Sequence, residues 1–134
     1  MKNTKSQQNL LLKKKKKKMS KVVIPIKLSN WNEIINQNRI NKYVGASHKK
    51  QEMNDISWYI RKIPPIKEYP IQITFTWHVK NQGKDLDNMS IKSILDSMQE
   101  LGILENDNIN HISAIHHYAV KDKEEYVEME ILPL

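Results

Sequence analysis

From Tyr69 to Lys80 apolar and polar residues alternate without a break. Ile71, Ile73, Phe75, Trp77 and Val79 fall on one side, and Gln72, Thr74, Thr76, His78 and Lys80 on the other. That period of two predicts a strand with one buried face. Val22, Ile24, Ile26 and Leu28 alternate in the same way and predict a strand over Val22 to Leu28. Pro25 has no N–H to give, so this strand belongs at a sheet edge. His111 to Val120 and Tyr126 to Leu132 read as two more strands, joined by the charged turn Lys121 to Glu125. In the last of them Val127, Met129 and Ile131 point inward, while Glu128 and Glu130 point outward.

Three stretches carry a helical pattern instead. Ser29 or Asn30 can cap a short helix over Trp31 to Asn36. A longer helix is predicted over Asn41 to Ile60, with Tyr43, Ile56, Tyr59 and Ile60 packing inward and Trp58 among the core positions. Pro64-Pro65 ends this unit. Ile91, Ile94, Leu95, Met98 and Leu101 form an apolar stripe on a third helix, capped by Asp87 or Asn88 and stopped by Gly102. Strands and helices in this order predict a small α+β domain. Its sheet is mostly antiparallel or mixed, with the helices packed on one face.

Composition narrows the picture. A chain of 134 residues, 39% of them hydrophobic, builds one domain around one core. The division expected is a lysine-rich arm, residues 1–20, followed by one domain over residues 21–134. With no cysteine, disulfides and thiolate metal sites are excluded. Neither a membrane span nor a signal peptide is legible, so a cytoplasmic protein without membrane partners is expected. The net charge of +7 is unevenly placed. Of the 22 Lys and Arg, eight lie in residues 1–20, which hold no acid, leaving 14 against 15 Asp and Glu. Repulsion within Lys13 to Lys18 predicts a disordered arm, read either as a phosphate-binding extension or as an incidental one. A second basic region runs from Arg39 to Lys62, where Lys42, Lys49 and Lys50 are the candidates for holding a phosphate backbone.

The candidate chemistry lies in GKDLDNMSIKSILDSMQELGILENDN, Gly83 to Asn108. Asp85 and Asp87 precede the third helix, and Asp107 follows it. If Gly102 to Glu105 runs back along the helix, the three carboxylates can meet. Such a trio favours a hard, oxygen-preferring cation, Mg²⁺ or Mn²⁺, and chemistry at a phosphate ester. Lys92 would then neutralise charge on the phosphate. The bland alternative makes the aspartates turn and cap residues. Asp96, four residues after Lys92, can pair with it across a helical turn. Neighbouring strand residues point to opposite faces, so His116 and His117 read as ordinary strand histidines. Trp77 reads as core, leaving Trp31 as the one tryptophan available to stack on a base. No glycine-rich phosphate loop or nucleophile elbow is present, and no small-molecule cofactor is expected.

The ordered set Asp85-Leu86-Asp87-Asn88, Lys92, Ile94-Leu95-Asp96 and Gly102-Ile103-Leu104-Glu105-Asn106-Asp107 resembles the RusA family of Holliday-junction resolvases. Ser29-Asn30-Trp31-Asn32-Glu33 and Val127-Glu128-Met129-Glu130-Ile131 are similar to that family's opening and closing segments, so the resemblance covers residues 22 to 134. It implies a RusA-like fold and a homodimeric, Mg²⁺-dependent endonuclease that cuts four-way DNA junctions by paired, symmetric incisions. Carried over, Asp85, Asp87 and Asp107 become metal-binding catalytic carboxylates and Lys92 the catalytic lysine. Two features depart from the family pattern. Four residues instead of three separate Asp87 from Lys92, which rotates the lysine by about 100° unless the helix starts later. The acidic pair is also Asn106-Asp107, which leaves Asp107 as the ligand and Glu105 as its substitute. The alternatives are a nuclease acting on flaps or forks and a catalytically silent DNA-binding module.

Overall fold

A computed structural model describes residues 19–81, 83 and 85–133. The expected lysine arm lies outside the described residues, apart from its last two positions. Strand β1 (Ser20–Ile24) leads to helices α1 (Trp31–Ile40) and α2 (Lys42–Ile60). Then come β2 (Ile71–Val79), a 3₁₀ turn (Leu86–Asn88), α3 (Lys92–Glu100), β3 (Ile112–Lys121) and β4 (Tyr126–Pro133). The class is α+β, with three α-helices and one four-stranded mixed sheet among the described residues.

The sheet order is β1-β4-β2-β3. β4 is antiparallel to both β1 and β2, whereas β3 runs parallel to β2, pairing Ile73 with Ile115 and Val79 with Lys121. β3 and β4 are consecutive in the chain but not neighbours, because β2 lies between them. Their connection crosses the end of β2, where Asp122 N–H donates to the Val79 carbonyl at 2.9 Å. That crossing leaves the ring of His78 between two carboxylates. Nδ1 lies 2.9 Å from Asp122 and Nε2 lies 2.9 Å from Glu128, with the imidazole stacked on Tyr126.

The alternating residues of β2 are buried on their odd positions, as the period of two requires. With Ile24, Val127, Met129 and Ile131 they form the sheet side of the core. Ile56 and Ile60 of α2 and Ile94, Leu95 and Met98 of α3 cover it. β1 is an edge strand, as expected, but it stops at Ile24, one residue before Pro25. Ile26 and Leu28 pack against the core from irregular chain.

The helices differ from expectation in instructive ways. Asn30 caps α1 by accepting from Glu33 N–H, and α1 continues to Ile40. Tyr43, predicted inward, is 73% exposed. The amino-terminal half of α2 packs Gly45 against Asn38 of α1 and buries no other residue. Trp58, placed among core positions, is 62% exposed. It follows Ile56 by two residues, about 200° around the helix, so burying Ile56 and Ile60 turns it outward. No helix among the described residues is long and apolar enough to cross a membrane.

Candidate functional site

The segment after β2 does not enter a helix at once. Asp85 opens the 3₁₀ turn, closed by Asn88 N–H to the Asp85 carbonyl at 3.1 Å. Met89 N–H follows, donating to Leu86 at 3.2 Å. Only after Ile91 does α3 begin, with Lys92 as its first residue. The expected cap at Asp87 or Asn88 is therefore absent: α3 starts four residues later with no side-chain cap. That late start is the condition under which the extra residue between Asp87 and Lys92 does not rotate the lysine within a shared helix.

Nor are the aspartates used as caps. The Asp85 side chain accepts no capping bond. Among the described residues, none of the carboxylates of Asp85, Asp87 and Asp107 takes part in a hydrogen bond or ion pair, and all three residues are exposed. Three charged groups without a structural partner are available to a ligand.

They do not meet within one chain. The turn with Asp85 and Asp87 follows the end of β2 and sits beside Lys27, Leu28 and Asn30. Gly102, at φ 75°, ends α3. Ile103 and Leu104 N–H then both donate to the Met98 carbonyl and carry the chain to Ile66, whose N–H donates to Ile103. Glu105 N–H donates to the Tyr69 hydroxyl, and the His111 carbonyl accepts from Ile71 N–H. The Asp107 loop is thus fastened at the start of β2. The eight steps between its nine residues, about 3.3 Å each, put roughly 26 Å between the two ends. The return of Gly102 to Glu105 toward Asp85, which the sequence permits, does not occur. Glu105 instead lies 3.4 Å from His111 Nε2. No three His, Asp or Glu among the described residues form a metal-holding group. Asp85 and Asp87 stand two positions apart at the 3₁₀ turn, and their carboxylates are hard oxygen donors of the kind a Mg²⁺ would need.

The basic candidates do converge. Lys42 and Lys49 of α2 and Lys92 of α3 line one cleft of about 320 Å³, together with Trp31, His48 and Glu52. Lys50 is exposed and lies outside this lining. Asp96 holds Lys49 at 2.6 Å and Lys92 at 3.8 Å, so one carboxylate is shared by two ammonium groups. The i,i+4 pair with Lys92 follows from sequence spacing, whereas the pair with Lys49 required packing α2 on α3. Glu52 accepts from Ser29 N–H at 2.9 Å and holds the connector from β1 at the cleft. Asn32 N–H donates to Asn88 Oδ1 at 3.2 Å, which ties the start of α1 to the turn bearing Asp85 and Asp87. Cleft and acidic turn are therefore neighbours.

The strand histidines stay structural. His117 Nδ1 accepts from Trp77 Nε1–H at 2.9 Å, and its ring stacks on Phe75 and Trp77. His116 faces the other side, 3.3 Å from Gln72. Trp77 is core, and Trp31 lines the cleft. In comparisons with known proteins, no family model and no curated protein matches this chain.

Proposed function

We propose that the protein is a divalent-metal-dependent endonuclease for branched DNA that resolves four-way junctions as a homodimer. The observation that carries this reading is the cleft. Lys42 and Lys49 of α2 and Lys92 of α3 face one space, next to a turn with two unengaged carboxylates. The order of Asp85, Asp87, Lys92 and Asp107, with its resemblance to the RusA family, supports the same assignment.

Lys42 and Lys49 hold backbone phosphates, which position the DNA without reading its sequence. Lys92 places positive charge against the phosphate under attack. Its present partner, Asp96, is a surface ion pair worth about 0–1 kcal/mol, so a phosphate can displace it at little cost. Asp85 and Asp87 supply the hard oxygen donors on which a divalent ion can sit. A bound Mg²⁺ or Mn²⁺ would activate water and stabilise charge on the leaving oxygen. Asp107 lies too far along β2 to join them in its own chain, so a second copy is needed to deliver it. Two equivalent sites related by a two-fold axis suit the symmetry of a four-way junction.

A cleavage assay on a synthetic four-way junction, with and without Mg²⁺, tests the reading. Paired symmetric cuts that require the metal are expected. Asp87→Asn should abolish cutting while junction binding persists. Cutting that survives this substitution removes the site, cuts confined to flaps or forks replace the substrate, and binding without any cutting leaves only a DNA-binding module.

A further inference from the structure

α2 ends in Ser57-Trp58-Tyr59-Ile60, and Arg61-Lys62 follow. The Arg61 guanidinium lies over the Trp58 ring, 3.9 Å from its centroid, while most of the tryptophan remains open to solvent. Cations near a helix C-terminus complement its dipole, which accounts for where Arg61 and Lys62 stand. It does not account for an exposed indole held under a cation, which stacking does. Lys21 of β1 lies across from them, and together they line a groove of about 620 Å³ with no acidic residue among the described residues of its walls. Lys21 also reaches Glu128 at 3.7 Å, a long pair in which Lys21 is exposed and Glu128 half-buried.

We propose that this groove is a second nucleic-acid site, which takes an unpaired base on the open face of Trp58 and the flanking phosphates on Arg61, Lys62 and Lys21. The inference rests on the nucleic-acid reading of the cleft and adds a distinct surface to it. Cleft and groove lie at opposite ends of α2, whose 19 residues span about 28 Å. One extended or branched nucleic acid can engage both. Charge alone would suit an acidic peptide equally well. The indole favours nucleic acid, because every base offers a flat π-face and stacking adds affinity without sequence preference.

The test uses the full chain, a chelator to prevent cutting, and a fluorescently labelled oligothymidylate read by anisotropy. Trp58→Ala should weaken binding about tenfold, the scale of one lost base stack, while Trp58→Phe keeps most of the affinity. Binding to a blunt duplex should be unchanged, and an abasic strand should bind the parent protein as weakly as oligothymidylate binds Trp58→Ala. Unaltered melting temperatures of both variants exclude misfolding. Equal single-strand affinity of Trp58→Ala and parent overturns the proposal, as does an equal loss on duplex. Polyglutamate competing as well as oligothymidylate reassigns the groove to acidic peptides. A junction that binds but is never cut would sink the nuclease reading and leave this result standing.

Discussion

The imidazole of His117 serves the fold only when it is neutral. Its Nδ1 must be unprotonated to accept the Trp77 N–H, and its ring lies against Phe75 and Trp77. Burial penalises the charged form and holds its pKa below the ordinary 6.5. A depressed folded-state pKa means that the unfolded chain binds the proton first. The contribution is therefore complete above pH 6.5 and is lost as pH falls through the lower folded value. His117→Asn keeps an acceptor near Nδ1 and removes the titration. Melts of this variant should change less between pH 7 and pH 5 than those of the parent. Asp122 behaves likewise in a more acid window. The Lys123 N–H, and after it His78, depress its carboxyl below 3.8, so its contribution is present above that value and disappears in stronger acid. Neither partner was legible beforehand. A period of two says which way His117 and His78 point, but not which strand lies beside them.

Among the elements, those with strong periods were legible and those set by a neighbour were not. β2 was readable because each second residue is apolar and the face it makes is buried whole. The start of α3 was not, because Asp87 and Asn88 have the chemistry of caps and the chain used them in a 3₁₀ turn instead. The α1–α2 pair shows the same dependence. Gly45 sits in the second turn of α2 against Asn38 of α1, and a Cβ there would collide with Asn38 Oδ1. Gly45→Val should push the two helices apart. We expect it to lower stability by about 1–3 kcal/mol, as overpacking does, in a denaturant titration. It should also weaken junction binding, since Gly45 lines the cleft with Lys42 and Lys49.

For the whole molecule, the parallel pairing of β2 and β3 decides the most. α3 must carry the chain from the end of β2 back to the start of β3, and this separates Asp107 from Asp85 and Asp87. If a second copy supplies the third carboxylate, mixing inactive Asp87→Asn and Asp107→Asn proteins should restore nicking. One mixed site would combine Asp85 and Asp87 of one copy with Asp107 of the other. A site contained within one chain predicts no recovery in the same junction assay.

The sequence by itself determined which residues are buried on β2 and β4, that three helices occur and in what order, and which carboxylates and lysines are candidates. Those properties follow from side-chain periods of 2 and 3.6 and from residue chemistry, which are local. Tertiary structure decided that β3 pairs with β2, that Lys49 meets Lys92 across Asp96, that Trp58 is exposed beneath Arg61, and that Asp107 lies at the far end of the sheet. Each of these depends on contacts between segments far apart in the chain, and no local pattern records which distant partner the folded backbone will supply.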